Sequence, residues 1–184
     1  YLYYSSYKPT LVYVRSNVDN RVYVVRNMPS KRKAANTIAK VRLKLETLVD
    51  KLKKKYKEKD GRINILKKRF NPDEIRESLP KGKQTSYSIN KGERIVMCLR
   101  SRNQQEKIID INTLVFVALH ELAHIMTISI GHKPEFWENF RFLLAHAIHW
   151  KIYTPVDYQN RPKPYCGMKI TDSPLLTTDV PKYL

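Results

Sequence analysis

The stretch His120-Glu121-Leu122-Ala123-His124 decides how the rest of the chain is interpreted. On an α-helix, residues four apart lie on one face, so the imidazoles of His120 and His124 can point at the same metal ion. Glu121 then lies beside the open position of the metal, where a carboxylate can take a proton from bound water. Zinc suits this pattern because three protein ligands leave its fourth position to water, whose pKa the ion lowers towards neutrality. The motif therefore predicts a catalytic zinc site with Glu121 as general base.

The sequence around the motif predicts a buried helix. From Ile111 to Ile130 the chain is mostly apolar, and a helix that is apolar all round is a buried one. Asp110 and Asn112 are both suitable N-caps. Buried histidines and a buried glutamate are costly unless they are paired or bound to metal. The alternative is a pair of core histidines with ordinary hydrogen-bond partners.

The third metal ligand is expected at His132. This residue comes before a second predicted helix, from Pro134 to Trp150, in a corner from which it can fold back on the metal. Glu135 and Glu138, on that second helix, are the rival ligands of a two-His-one-Glu site. We prefer His132 because it precedes the helix and needs less reach.

The motif and the run Gly131-His132-Lys133-Pro134-Glu135-Phe136-Trp137 together resemble the WLM and SprT-like (Spartan-like) metalloproteases of the zincin class. The wider chain resembles WLM-type proteins of large DNA viruses of eukaryotes, through the apolar lead-in and the run Tyr165-Cys166-Gly167. The resemblance implies zinc peptidase activity with one Zn²⁺, ligands His120, His124 and His132, and Glu121 as base. The third His comes later than in metzincins, so no Met-turn is expected. The four-Cys zinc ribbon of many SprT-like proteins is missing.

Length and composition indicate a folded domain. The chain has 184 residues, of which 42% are hydrophobic, enough for a sizeable core. The expected fold is α+β and zincin-like, a single domain with a small mixed sheet packed on three main helices. We divide the chain into an N-terminal β-hairpin arm (1–29), a metalloprotease core (30–150) and an irregular C-terminal wrap (151–184).

Hydrophobic periodicity and turn residues predict the remaining elements. They are a hairpin of Thr10–Arg15 and Arg21–Arg26, a helix from an N-cap at Ser30 to about Lys59, a strand Arg62–Leu66, a short helix from about Asn71 to Leu79, and a second hairpin of Thr85–Asn90 and Glu93–Arg100. In zincins a strand before the catalytic helix often forms the rim of the cleft and pairs with substrate. By resemblance, Val96–Arg100 is the candidate rim, and an ordinary sheet strand is the alternative.

The charge of the chain is large and unevenly distributed. Of a net charge of +18, residues 31–59 carry +9, whereas residues 111–149 carry −1. The basic helix within 31–59 therefore predicts contact with the phosphates of a nucleic acid, without base specificity. A solvated face that only keeps the protein soluble is the alternative.

The cysteines and the apolar runs bound the setting. Two cysteines, Cys98 and Cys166, are too few for a disulfide scaffold, so reduced thiols are the default and one disulfide stays open. No apolar run reaches membrane-spanning length, so no transmembrane segment is expected. Because the chain starts at Tyr1 rather than Met, we expect a trimmed or mature product.

A hydroxyl that stabilises the oxyanion is expected from the C-terminal segment, because zinc peptidases often use one. The candidates are Tyr153, Tyr158 and Tyr165, and Tyr158 beside Asp157 is the favourite. His146 and His149, on the predicted helix 134–150, are taken as ordinary helix residues.

The sequence thus predicts a zinc-dependent endopeptidase that acts on a protein or peptide substrate. One narrower form clears proteins from DNA, as the resemblance implies, and another processes virion or host proteins without DNA. A third hypothesis, from a different class, is a basic nucleic-acid-binding protein with a non-catalytic zinc site. The intact Glu121 argues against it, because a structural site has no use for a base. A host cytoplasm or nucleus and a virion remain open as locations.

Overall fold

Four α-helices, seven short strands and a 3-10 helix make up the computed structural model, which describes residues 10–80 and 85–184. In chain order they are β1 (Leu11–Arg15), β2 (Val22–Arg26), α1 (Lys31–Tyr56), α2 (Gly61–Arg69), β3 (Ile75–Glu77), β4 (Ser86–Ile89), β5 (Arg94–Met97), α3 (Ile111–Met126), α4 (Pro134–His149), β6 (Lys163–Tyr165), β7 (Met168–Ile170) and the 3-10 helix Thr177–Tyr183.

A mixed sheet and three long helices form the frame of the molecule. The sheet has the order β3-β5-β4, with β3 parallel and β4 antiparallel to β5. Helix α3 packs against both α1 and α4, and the side chains between these helices form one hydrophobic core. This architecture confirms the predicted α+β, zincin-like fold with three main helices.

Helix α1 has the amphipathic pattern that its sequence predicts. Its apolar stripe lies on the core side: Ala34, Ile38, Val41, Leu45, Leu48 and Leu52 are buried, and Tyr56 packs against the core from a partly exposed position. Ser30 is the N-cap residue, as predicted, although its side chain makes no capping hydrogen bond. Its hydroxyl accepts a hydrogen bond from the guanidinium of the buried Arg100 instead.

Two predicted elements between α1 and β4 are wrong. Residues 62–66 lie in helix α2 rather than in a strand, because Asp60 caps the helix by accepting from the Arg62 amide and the buried pair Ile63 and Leu66 follows helical spacing. The predicted helix from Asn71 to Leu79 is strand β3. Its Glu77 is buried, accepts from the Arg26 amide at 2.7 Å and pairs with Arg100 at 2.6 Å, and these partners hold the segment extended.

The predicted substrate rim changes as a consequence. Strand β5 pairs with β3 on one side and with β4 on the other, so it is the central strand of the sheet. The prediction that Val96–Arg100 forms the rim of the cleft is therefore wrong. Within the described residues, β4 is the edge strand next to α3. Strand β5 is buried on both faces, since Ile95, Val96 and Met97 are all buried.

The N-terminal hairpin is confirmed for the part of the arm that the structure describes, with Leu11 opposite Arg26 and Arg15 opposite Val22. The C-terminal segment contains an unpredicted hairpin of β6 and β7. Its two-residue turn, Cys166-Gly167, has positive φ at both positions, as a type I′ turn requires.

Cys98 and Cys166 form a disulfide, so the default expectation of reduced thiols is wrong. Their Cα atoms lie 6.3 Å apart, within the range that a disulfide spans, although 68 residues separate them in sequence. The bond attaches the β6–β7 turn to the chain that follows β5.

Among the described residues, no helix is long and apolar enough to cross a membrane.

Candidate metal centre and active-site cavity

Three imidazoles converge where α3, the following loop and α4 meet. The Nε2 atom of His132 lies 3.0 Å from Nε2 of His120 and 3.1 Å from Nε2 of His124. All three candidate ligand atoms lie within 4.8 Å of one another, and within residues 10–80 and 85–184 no fourth His, Cys, Asp or Glu joins the group. The structure therefore brings together the three residues that the sequence singled out as ligands.

The donor set fits zinc with an open position. Two nitrogen ligands at about 2.0–2.1 Å from a tetrahedral zinc are roughly 3.3 Å apart, close to the observed separations. Three imidazoles without a fourth protein ligand are the pattern of catalytic zinc sites, whereas structural sites are closed by four. The residues present would thus hold one ion and leave room for water or substrate.

Glu121 is buried and faces the same site. Its Oε1 lies 3.2 Å from Nδ1 of His120. In the tautomer with the proton on Nδ1, His120 donates to this carboxylate and keeps the lone pair of Nε2 for a metal ion. Such a carboxylate partner orients a metal-binding imidazole and raises its basicity.

Burial favours the neutral, metal-binding form of two of the three imidazoles, those of His124 and His132. The pKa of His124 is lowered to about 4, mainly by burial and further by the nearby His120, His132 and Lys91. The pKa of His132 is lowered by burial and by His120, although Glu121 opposes this shift. The buried ring of Phe136 lies under the cluster, stacked on His124 with ring centroids 4.2 Å apart.

Helix α3 ends at Met126, four residues before the predicted end at Ile130, and the following loop carries His132. Thr127 leaves the helical conformation, and its hydroxyl donates to the Ala123 carbonyl at 2.6 Å. The ammonium of Lys91 donates to the carbonyls of Thr127, Ile128 and Ser129 at 2.5–2.8 Å. A cation at the C-terminal end of a helix interacts favourably with its dipole, and here it also holds the carbonyls of the residues that follow the helix.

The two rival ligands have other partners. The carboxylate of Glu135 accepts from the Ser129 hydroxyl at 2.7 Å and from the Ile128 amide at 3.2 Å, which ties α4 to the loop. These hydrogen bonds lower the pKa of Glu135, with the Ser129 hydroxyl as the largest cause. Glu138 accepts from Arg141 at 3.2 Å. Trp137 Nε1 donates to the His132 carbonyl at 3.1 Å and so positions the third histidine.

A cavity of about 570 Å³ opens beside His120 and Glu121. Tyr165 contributes to its wall, and the Tyr165 hydroxyl donates to the Cys98 carbonyl at 3.0 Å. The prediction that Tyr158 stabilises the oxyanion is wrong. Tyr158 is buried, and its hydroxyl forms a hydrogen bond of 3.3 Å with the hydroxyl of Tyr153. Neither of these tyrosines lines the cavity. Of the three candidates, Tyr165 is the one at the site.

His146 is an interior residue of α4, fully buried. Its Nδ1 lies 2.8 Å from the Phe142 carbonyl and its Nε2 2.8 Å from the Tyr56 hydroxyl. Burial lowers its pKa to about 4, so the ring is neutral and donates to the carbonyl through Nδ1. This geometry agrees with leaving His146 out of the site.

Sequence reasoning missed Lys91 and the role of Phe136. Lys91 lies in the turn Asn90-Lys91-Gly92 and looks like an ordinary turn lysine, so no local pattern marks it as a partner of a loop 36 residues away. Phe136 is part of the run after His132, and its position directly after the histidine corner is a usable signal.

Fold and site together define a protein with three clustered histidines, two of them on a buried helix, that could bind a metal ion. The sequence model of the WLM domain matches residues 19–163, and the chain belongs to this family. Membership suggests a metalloprotease-like function that depends on a metal.

Relatives with similar sequences are viral proteins. An uncharacterized protein of Acanthamoeba polyphaga mimivirus is 36% identical over 163 residues, which cover 87% of this chain and 82% of the relative. An uncharacterized protein of Invertebrate iridescent virus 3 is 39% identical over 87 residues, which cover 46% of this chain and 51% of the relative. One of Invertebrate iridescent virus 6 is 36% identical over 69 residues, covering 37% of this chain and 38% of the relative. No solved structure matches the chain.

Proposed function

We propose that this protein is a zinc-dependent endopeptidase. The observation that supports the proposal best is the convergence of His120, His124 and His132 beside a buried Glu121 and an open cavity. A zinc ion held by these imidazoles would polarise the scissile carbonyl and lower the pKa of a bound water.

Glu121 is the general base in this proposal. Its carboxylate faces the cavity, takes the proton of the attacking water and passes it to the leaving amine. The hydrogen bond from His120 Nδ1 holds the carboxylate in place. Because Glu121 is buried, its carboxylate interacts more strongly with the positive charge that develops on the leaving amine.

The edge of β4 is the proposed support for the substrate main chain. The Cys98 amide donates to the Thr85 carbonyl, and Tyr87 lies opposite Val96 in the antiparallel ladder. Because hydrogen bonding alternates along such a ladder, the amides and carbonyls of Ser86 and Ser88 turn away from β5. An extended peptide that adds to this edge lies along the cavity, which reaches Ser86.

The test compares Glu121→Gln with Glu138→Gln, a matched change at an exposed position of α4. Glu121→Gln should keep one zinc per chain by elemental analysis and lose about 10²–10⁴-fold in cleavage of an unfolded protein such as casein. Glu138→Gln should change neither value. Undiminished turnover by Glu121→Gln contradicts the proposed mechanism.

A narrower candidate is a protease that acts on nucleic-acid-associated proteins. The exposed Lys33, Lys40 and Lys54 are spaced by seven and fourteen residues and share one face of α1. Lys33 and Lys40 also line a groove of about 570 Å³ that runs between the start of α1 and Asp110. These positions suit contact with phosphates.

Cleavage of a basic DNA-binding protein, with and without single-stranded DNA, tests this candidate. Cleavage that requires both DNA and Glu121 supports it. Cleavage that requires Glu121 but not DNA favours a protease that processes virion or host proteins. A nucleic-acid-binding protein without catalysis is left if DNA binds and nothing is cleaved.

A further inference from the structure

The cavity beside Glu121 has an apolar lining that catalysis by the histidines and Glu121 does not require. Its volume of about 570 Å³ lies in the range of pockets that bind small organic groups. Its apolar lining comes from three different parts of the chain: Phe116, Val117, Trp137, Phe140, Met168 and Ile170.

Helix geometry places this lining next to the reacting bond. Phe116 and Val117 precede His120 by four and three residues, so they lie on the same face one turn, about 5.4 Å, away. A peptide whose scissile carbonyl lies between His120 and Glu121 therefore presents a neighbouring side chain to the cavity.

The cavity has a firm base and a covalently attached wall. The rings of Phe116 and Phe140 are buried and contact each other with centroids 5.4 Å apart, and Tyr158 supports Phe116 from behind at 5.0 Å. The β6–β7 hairpin forms the opposite wall with the half-exposed Met168, and the Cys98–Cys166 disulfide holds its turn. A preformed apolar pocket of this kind distinguishes side chains by size and polarity.

The charged residues of the lining already have partners. Arg141 donates to Glu138 at 3.2 Å and to the Tyr183 hydroxyl at 3.1 Å, and the exposed Asp172 accepts from Gln159 at 3.1 Å. An acidic substrate side chain in the cavity would lose water without gaining an unpaired cation, because Arg141 is already paired, and this loss is costly.

We infer that this cavity is the subsite for a residue that flanks the scissile bond and that it selects a bulky hydrophobic side chain, such as Leu, Met or Phe. The inference rests on the proposed function, since it names the substrate class of that same site.

The first measurement is a cleavage profile. A peptide library from a digested proteome is treated with the zinc-loaded protein, and new termini are identified by mass spectrometry. The preferred residue should always lie on the same side of the cleaved bond. Bonds with Leu, Met or Phe at that position should be cleaved at least about 10-fold faster than bonds with Asp or Gly there. Cleavage that depends on Glu121 without such a preference overturns the subsite and leaves the proposed function intact.

Two variants change the cavity. Val117→Phe fills it next to His120, and the preference should move to Ala or Gly. Met168 is half-exposed, so this position of the wall tolerates a polar residue. Met168→Asp should lower the preference for Leu in the cleavage profile and raise that for Lys or Arg. Val22→Phe, on an exposed position of β2 away from the cavity, is the matched control and should keep the wild-type profile.

A binding measurement separates the two proposals. Fluorescein-labelled Gly/Ser octapeptides with one central Leu, Phe or Asp are titrated into the Glu121→Gln protein and followed by anisotropy. Tighter binding of the Leu and Phe peptides that is lost when Val117→Phe is added supports the subsite. If the wild type cleaves no peptide, the proposed function fails while the subsite inference stands. Equal binding of all three peptides overturns the subsite.

Discussion

Helices α3 and α1 pack against each other but use their polar residues in opposite ways. In α3 the polar groups His120, Glu121 and His124 interrupt an apolar helix and point at one another or at His132. In α1 the charges lie mainly on the solvent side, where ion pairs such as Lys53–Asp50 are largely exposed. Buried polar groups are costly unless matched, whereas exposed ion pairs contribute little. The polar residues of α3 therefore specify one arrangement of side chains, whereas the charged residues of α1 contribute only a general positive charge.

The largest expected effect comes from removing the third imidazole of the cluster, that of His132. His132→Ala should lower bound zinc from one per chain to near zero and abolish cleavage, because two imidazoles hold zinc far more weakly than three. Elemental analysis after dialysis checks this.

His149→Ala, which removes an exposed histidine from α4, is the matched control and should keep zinc. Full zinc in His132→Ala, together with zinc loss in Glu135→Gln, would instead make Glu135 the third ligand.

The next effect concerns the disulfide that holds the wall of the cavity. Replacing both Cys98 and Cys166 by Ala should lower the free energy of unfolding by about 4 kcal/mol, as expected from loss of a crosslink across 68 residues. Chemical denaturation measures the change. A reductant should destabilise the wild type similarly and leave the double variant unaffected; a wild type indifferent to the reductant would contradict the expectation.

The elements with strong periodicity were predictable from sequence. Helices α1, α3 and α4 were predicted because their apolar residues recur at helical spacing over many turns, and the three histidines because the motif and the following corner fix their order. Short segments were not. Ile63 and Ile65 suggested alternation, yet a single cap at Asp60 and two buried positions at helical spacing make the segment a helix.

One error produced another. Residues 71–79 have a turn and acidic residues that resemble a helix start, but Glu77 is held by the buried Arg100 from a distant part of the chain. Without β3, the strand β5 would be an edge strand, free to form the cleft rim. Contacts across long sequence separations, including Lys91 with the α3 end and Cys98 with Cys166, leave no local pattern to find.

A moderate effect is expected from the cation that holds the end of α3. Lys91→Met removes the donor shared by three loop carbonyls, of which that of Thr127 keeps Arg69 at 3.4 Å, and so loosens the loop that carries His132; zinc affinity should fall about 10-fold to 100-fold. Competition with a chromogenic chelator measures it. Lys133→Met, an exposed lysine directly after His132, should leave the affinity unchanged. If both variants lose affinity equally, net charge near the site, and not the contacts of Lys91, sets the value.

The smallest effect on the folded state is expected on α1. The triple variant Lys33→Gln, Lys40→Gln and Lys54→Gln should change the free energy of unfolding by less than about 0.5 kcal/mol per site and leave cleavage of free peptides unaltered, because these side chains are exposed. If the helix contacts phosphates, affinity for DNA falls, and the slope of log K against log salt decreases by about 0.7–0.9 for each phosphate that is no longer neutralised. Lys107→Gln, Lys133→Gln and Lys169→Gln together remove the same charge from exposed positions outside α1. Equal loss of DNA affinity in both triple variants would show that net charge alone binds DNA, and the face of α1 would then have no special role.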